Sequence, residues 1–128
     1  MNWQDTALVA AGAIGAGVAL IHGFLMQKLM VRPIDVLLAT SSKSSTTRRL
    51  TPVLLHFSTA AWFLGGLALA ASVRFSPEQR LATEIAVGAM YLYGVIGNFW
   101  ATRGRHPGWM LLTASLGLIA FAAYPAAG

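Results

Sequence analysis

Four long apolar runs are the feature of this sequence that most restricts its fold. A helix needs about 20 mostly apolar residues to cross the hydrocarbon core of a bilayer. The first, second and fourth runs meet this requirement directly, and the third does so when it is extended upstream through residues 81–83. The sequence therefore predicts four transmembrane helices with little protein outside them. The runs cover residues 7–26, 52–73, 85–101 and 108–124 of the 128 in the chain.

The composition excludes a water-soluble domain. Charged residues make up 10% of the chain and hydrophobic residues 56%, whereas soluble domains carry about 25% charged residues. The chain has no cysteine, so it has no disulfide, thiolate metal site or thiol redox chemistry. Its first residues, MNWQD, include an acid and no lysine or arginine. Because a secretory signal begins with basic residues, we expect the first run to be retained as a membrane span.

The basic residues lie mostly on one side of the predicted bundle. That side carries seven of the nine lysines and arginines: Lys28, Arg32, Lys43, Arg48, Arg49, Arg103 and Arg105. The positive-inside rule then predicts an inner-membrane protein with these residues in the cytoplasm and both termini in the periplasm. The net charge of +5 is expected to contact anionic lipid headgroups. It does not indicate nucleic-acid binding.

Prolines and glycines mark the predicted helix boundaries. The first helix should end near residue 31, because the residue before Pro33 is biased away from helix, and PIDVLLAT would form a short interfacial helix. Thr51 and Pro52 should begin the second helix, and the capping pattern at Ser76 the third. Short loops force antiparallel neighbours, so we predict an all-α membrane protein, an antiparallel up-down four-helix bundle formed by one domain. The predicted helices are 6–31, 52–74, 77–102 and 108–124.

Each predicted helix carries a polar side chain in its cytoplasmic half, and no comparable layer is evident in the outer half. Polar groups inside a membrane are costly unless paired, and they tend to face the bundle interior. We interpret them as an inward-facing ligand site, with interhelical hydrogen bonds that fix the helix register as the alternative. Trp62, near mid-membrane, is expected to pack with its indole N–H bonded to a neighbouring helix. The polar layer comprises His22, His56, Thr59, Trp62, Tyr91, Asn98 and Thr113.

A heptad spacing on the third helix predicts a polar stripe. Glu84, Tyr91, Asn98 and Arg105 are spaced by seven residues, and a heptad step drifts by only about 20° around a straight helix. Such a stripe would suit proton or substrate passage through a small oligomeric transporter or channel. The glycines of the first and third helices favour close helix packing, either within the fold or between copies of the chain.

The histidines allow two cofactor hypotheses. His22 and His56 lie on consecutive helices at depths that differ by about one helical turn, so they could ligate a b-type haem from two sides. A metal site made by His22, His56 and His106 is the weaker alternative, because His106 is expected in a loop at the headgroups. No catalytic residues are assigned.

Three segments together suggest a resemblance. HGFLMQKLMVRP, LLHFSTAAWFLGG and RGRHPGW resemble segments of small four-span bacterial inner-membrane proteins that have no established activity. The resemblance covers most of the chain and implies no reaction. The positions it marks for testing are His22, Pro33, His56, Thr59, Trp62 and the 105–109 turn.

We therefore expect a non-enzymatic accessory or small-ligand-binding membrane protein, with its polar site in the cytoplasmic half. The alternatives are a haem- or quinone-linked redox protein that uses His22 and His56, and a small transporter or channel. Its expected partners are the lipid bilayer and either a second copy of the chain or another membrane protein.

Overall fold

The structure, a computed structural model, describes residues 2–40 and 45–124. These residues form four helical rods, and the first rod consists of three segments. Helix α1 continues through a π-helical turn into the short helix α2, and each of the other rods is a single helix. The prediction of an all-α helical bundle is confirmed. The segments are α1 (Trp3–Met26), the π turn (Gln27–Val31), α2 (Arg32–Ala39), α3 (Ser45–Ser72), α4 (Pro77–Thr102) and α5 (Gly108–Ala123).

The four rods are arranged in a ring. Helix α1 contacts α3 and α5, and α4 contacts the same two helices from the opposite side. Neighbouring rods are antiparallel: Ser115 on α5 bonds to Ala11 on α1, while Gln4 at the start of α1 bonds to Tyr124 just after α5. Since the end of α1 lies beside the start of α3 and the end of α4 beside the start of α5, these four chain segments meet at one end of the bundle.

The backbones of α1 and α3 come into direct contact where the two helices cross. A Cβ atom at Gly12 would collide with the carbonyl oxygen of Gly66, and it would lie 3.1 Å from the backbone nitrogen of Ala70. From the other side, a Cβ atom at Gly66 would lie 2.8 Å from the backbone nitrogen of Ala16. The two backbones therefore touch, and this part of the predicted glycine pattern serves packing within one chain.

Tyr91 fills the centre of the ring. It extends from α4 to α1, where its ring occupies the space that a side chain at Gly15 would need. Its hydroxyl donates a 3.2 Å hydrogen bond to the backbone carbonyl of Trp62 on α3. Three helices are thus joined through one fully buried side chain.

The boundary predicted near residue 31 is a change of helix type rather than a helix end, and the short helix predicted for PIDVLLAT is present as α2. Arg32, directly before Pro33, keeps right-handed helical geometry, and its N–H donates to the carbonyl of Gln27, five residues back. Within an α-helix, Pro33 would clash with the carbonyl four residues before it and would leave that carbonyl without a donor. The wider π turn shifts the hydrogen-bond ladder by one residue, so the helix continues past Pro33 to Ala39.

The predicted start of the second helix at Thr51 is wrong. Helix α3 begins at Ser45, so Pro52 lies inside it rather than at its first position. Arg48 in the added turns pairs with Asp35 of α2 at 2.8 Å, which joins the end of the first rod to the start of the next. The segment 41–44 of the predicted serine-rich loop, with Lys43, lies outside the described residues.

The capping prediction for the third predicted helix is confirmed. The Ser76 side chain accepts from the N–H of Gln79, and the Gln79 side chain accepts from the N–H of Ser76. At the other end the helix stops at Thr102, and a left-handed turn follows, with φ values of 51° at Arg103 and 75° at Gly104. This double left-handed turn reverses the chain toward α5.

The outer surface of the bundle is apolar, as a membrane requires. Three rods are long and apolar enough to cross a bilayer: Trp3–Ala39, Ser45–Ser72 and Pro77–Thr102. The 16 residues of α5 span about 24 Å, less than the roughly 30 Å of a hydrocarbon core. Large side chains such as Leu20, Phe57 and Ile96 are more than half exposed, which in water would be a large unfavourable surface. These features indicate a membrane protein.

The glycine crossing can be tested with one methyl group. We expect Gly12→Ala to destabilise the protein by about 1–3 kcal/mol, because the added Cβ has no space beside Gly66. Gly17→Ala is the matched control on the same helix, since a Cβ atom there meets nothing within 4 Å. It should leave the free energy of unfolding unchanged or raise it by up to about 1 kcal/mol. Unfolding in mixed micelles measures both, and equal effects would contradict the packing account.

Candidate ligand pocket

A pocket of about 220 Å³ lies where α1, α3 and α4 meet the start of α5. Its walls are mostly apolar, and none of its lining residues carries an acidic or a permanently charged side chain. The volume is below the roughly 300–1,000 Å³ of pockets for drug-sized ligands, so it suits a single ring or a short chain. The lining residues are Val18, Ile21, His22, Leu25, Trp62, Asn98, His106, Pro107, Gly108 and Leu111.

His22 forms one side of the pocket and is held by α3. Its Nε2 lies 3.3 Å from the hydroxyl oxygen of Ser58, and its ring centre lies 4.7 Å from that of Trp62, with the two planes tilted by 50°. The sequence prediction missed Ser58 as a partner. The available signal was its spacing of four residues from Trp62, which places both on one face of α3.

His106 is a pocket residue that the sequence analysis placed at the headgroups. The left-handed turn before it brings its ring back over Gly108, whose N–H donates to Nδ1 at 3.0 Å. Because this bond requires an unprotonated Nδ1, the proton of the neutral ring is on Nε2. That N–H has no acceptor among the described residues, so the pocket contains an unused hydrogen-bond donor.

Asn98 contributes the complementary acceptor. Its amide nitrogen donates to the carbonyl of Gly94 at 2.9 Å, one turn earlier on α4. This bond fixes the orientation of the amide and leaves Oδ1 without a donor in the described part of the chain. Oδ1 lies 4.0 Å from the Cβ position of Gly108, so it is close to the His106 ring.

Trp62 is packed in the interior as predicted, but its indole does not form the predicted hydrogen bond. It is 6% exposed, and its ring lies over Gly94, where a Cβ atom would approach the indole to 2.6 Å. The predicted indole hydrogen bond to a neighbouring helix is wrong, because the indole N–H donates to no residue that the structure describes. The interhelical bond instead uses the backbone carbonyl of Trp62, which accepts from Tyr91.

His56 and Thr59 lie outside the pocket. The Nε2 of His56 is 2.9 Å from the side-chain oxygen of Gln27 in the π turn. The methyl group of Thr59 packs against Gly23, and its buried hydroxyl has no partner among the described residues. His22 and His56 therefore have separate partners and do not line a common cavity. This geometry gives the bis-histidine haem hypothesis no support.

The three-histidine metal site has no support in the geometry either. Across residues 2–40 and 45–124, no three histidine, aspartate or glutamate side chains form a group that could hold a metal ion. His22 and His106 share the pocket, whereas His56 is bonded to Gln27 outside it.

Thr113 does not belong to an inward-facing layer, which corrects the prediction. It is exposed on the outside of α5, and its hydroxyl donates to the carbonyl of Trp109 one turn earlier, at 2.8 Å. The buried hydroxyl of α5 belongs to Ser115, which donates to the carbonyl of Ala11 at 2.9 Å. The two residues are about 200° apart around the helix, so only one of them can face α1.

The predicted polar stripe on α4 is interrupted. Glu84 and Tyr91 are buried and Asn98 is half-buried, but Arg105 is exposed in the turn beyond the end of the helix. The first three side chains each bond elsewhere: Glu84 to Arg80, Tyr91 to the carbonyl of Trp62 and Asn98 to that of Gly94. They form three separate contacts, with no hydrogen-bonded path from one to the next.

The other end of the bundle has polar contacts that the sequence analysis did not predict. Arg80 lies between two carboxylates, 2.8 Å from Asp5 on α1 and 3.0 Å from Glu84 on its own helix. Glu84 is 4% exposed, and Arg80 has about a fifth of its side chain exposed. These ion pairs join the starts of α1 and α4 across the ring. The signal in the sequence was the spacing of four between Arg80 and Glu84.

Comparisons of this chain with protein-family models, with curated proteins and with solved structures find no match. The chemistry of the pocket is therefore inferred from its own geometry.

The two hydroxyls of α5 should differ in their effect on stability. We expect Ser115→Ala to lower the free energy of unfolding by about 1 kcal/mol, because it removes a buried interhelical hydrogen bond. Thr113→Ala should change it by no more than about 0.5 kcal/mol, since that hydroxyl bonds only within its own helix. Unfolding in mixed micelles measures both. A larger loss of unfolding free energy for Thr113→Ala would contradict the position of Thr113 on the outside of α5.

The ion pairs at the other end should respond strongly to loss of the cation. Arg80→Met leaves the buried Glu84 without its partner, and we expect a loss of about 3 kcal/mol in unfolding free energy. Arg74→Met is the matched control, because Arg74 is exposed and should cost no more than about 0.5 kcal/mol. If the double variant Arg80→Met/Glu84→Met is as unstable as Arg80→Met alone, an unpaired Glu84 is not the cause.

Proposed function

We propose that this protein is a non-enzymatic binding protein of the inner membrane, and that it holds a small uncharged lipid-soluble molecule in the pocket. One observation carries the proposal: a mostly apolar pocket contains a fixed donor at His106 Nε2 and a fixed acceptor at Asn98 Oδ1. Small-molecule sites typically combine apolar walls with a few placed polar groups. Either group would gain a hydrogen bond from a ligand.

The charge of the pocket supports a neutral ligand. No acidic or permanently charged side chain lines it, so an ion would lose its hydration without gaining a counter-charge. Ile21 and Leu111 line the pocket and are also 58% and 44% exposed on the apolar outer surface. A molecule dissolved in the bilayer would enter past these two side chains.

The geometry of His22 supports binding rather than catalysis. His22 and Ser58 form a pair that resembles a nucleophile and its base. Acyl-transfer sites also orient the histidine through a third group, usually a carboxylate. No carboxylate bonds to His22 in the described ranges, so the pair serves to position the ring.

The distribution of basic residues supports the proposed topology. Exposed cations surround the pocket end of the bundle, and the positive-inside rule places that end in the cytoplasm, with both termini in the periplasm. Anionic headgroups there would add about 1 kcal/mol for each basic residue. The exposed cations are Lys28, Arg32, Arg48, Arg49, Arg103 and Arg105.

Fluorine NMR of small probes in lipid nanodiscs tests the binding proposal. We expect para-fluoroethylbenzene and fluorohexanol to show saturable binding to the protein beyond their partition into empty nanodiscs. Leu111→Trp should weaken binding by at least about tenfold, because the larger ring fills the pocket at a cost of about 1.4 kcal/mol or more.

Met110→Trp is the matched control, since Met110 is adjacent and exposed but does not line the pocket. It should bind both probes as the wild type does. If no probe binds saturably, or if both tryptophan variants bind equally, the proposal fails.

A further inference from the structure

We infer that the ligand of this pocket is a single ring that carries a carbonyl oxygen, as in a quinone headgroup, and that His106 Nε2 donates a hydrogen bond to that oxygen. The inference rests on the proposed function, and it adds the chemical class of the ligand. Its basis is the way in which α5 begins, together with the aromatic side chains opposite.

The tautomer of His106 defines what the ligand must offer. The N–H of Gly108 points at Nδ1, which therefore acts only as an acceptor, and Nε2 is left as the donor. The ring is held in this position because residue 108 has no side chain: a Cβ atom there would lie 2.8 Å from Nδ1 and 3.0 Å from Cε1. A ligand atom facing Nε2 must be an acceptor.

The surroundings of that donor select a carbonyl oxygen. Carboxylate and phosphate oxygens carry charge, and no lysine or arginine lines the pocket to neutralise it. A carbonyl oxygen is a strong uncharged acceptor and leaves the molecule soluble in lipid. A hydroxyl oxygen can also accept from this donor, but it brings a proton that needs an acceptor of its own.

The shape and walls of the pocket select a ring. His22 and Trp62 present two aromatic surfaces with centres 4.7 Å apart, and aromatic faces and edges favour contact with another ring. The volume of about 220 Å³ accepts one ring with small substituents. It is too small for a porphyrin or a fused ring system with long branches.

Because Asn98 offers an acceptor, the proposed class of ligand also includes the reduced form of such a ring, which carries hydroxyl groups. Its Oδ1 is an acceptor close to the His106 ring, so it would accept from a hydroxyl in the place of a second carbonyl. A quinone would therefore use His106, and the corresponding quinol would also use Asn98. We assign binding of both forms to the pocket and no electron transfer.

A matched pair of ligands tests whether the pocket prefers a ring that carries a carbonyl group. para-Fluoroacetophenone and para-fluoroethylbenzene differ in that a carbonyl replaces one methylene group. In nanodiscs the wild type should bind the ketone about 5- to 10-fold more tightly after correction for lipid partition. A fluorinated methyl hexyl ketone, with the same number of carbons and no ring, should bind more weakly than the ring ketone. Unlabelled dimethoxy-methyl-benzoquinone should displace the ring ketone.

Two substitutions test the role of His106. His106→Leu should abolish the preference for the ketone over para-fluoroethylbenzene, as expected when the hydrogen bond to the oxygen is lost. His106→Gln retains a donor and should restore part of the preference. Equal circular dichroism and melting temperature would show that the fold is kept.

The outcomes separate this inference from the proposed function. Saturable hydrocarbon binding without a ketone preference overturns the inference and leaves the proposed function standing. A ketone preference that survives His106→Leu overturns the assignment of the donor, and tighter binding of the chain ketone overturns the ring. Absence of saturable binding by every probe contradicts both proposals.

Discussion

The backbone contact between α1 and α3 at Gly12 and Gly66 sets the register on which the pocket depends. In an antiparallel pair, contact at one position fixes all others, and here it places Gly23 against Thr59 and His22 against Ser58 near the pocket end. Packing and polar contacts, rather than the hydrophobic effect, drive helix association in lipid. A slip of one residue would turn His22 by about 100° around its helix. The position of the imidazole therefore depends on two glycines about three turns away.

The polar side chains at the two ends of the bundle differ in how completely they are paired within the protein. At one end Arg80 is paired with both Asp5 and Glu84, so its buried charges are compensated within the protein. At the other end, the side chains of Asn98 and His106 are each bonded to the backbone through one atom only. The first end is complete as a structural clamp, whereas the second presents a donor and an acceptor that have no partner among the described residues.

Sequence reasoning predicted the features that follow from local chemistry. It missed those that depend on the rotation of a helix about its own axis and on the backbone geometry of the turns. The apolar runs, the Ser76 cap and the inward side of α4 are local, and they were predicted correctly. Thr113 and Ser115 lie at nearly the same depth, so depth alone could not show which one faces α1. His106 was predicted in a loop beside two arginines, and it does lie in the turn between α4 and α5. The sequence did not indicate that this turn brings its ring to the pocket, because the left-handed conformation of Arg103 has no signature in an L-residue. The predicted ligand site therefore included the pocket residues His22, Trp62 and Asn98 but not His106.

The π turn explains why the two membrane histidines do not act together. His22 and His56 were expected at similar depth on neighbouring helices, and that expectation assumed a regular helix up to residue 31. The widened turn carries the chain past Pro33, and it also holds Gln27 in front of His56, where their side chains bond at 2.9 Å. The hydrogen bond of His56 therefore links the first half of α3 to the π turn that follows α1. His22 lies about one and a half turns before Gln27, on regular helix, and its ring lines the pocket. The second histidine of the pocket is His106, whereas the sequence analysis had paired His22 with His56.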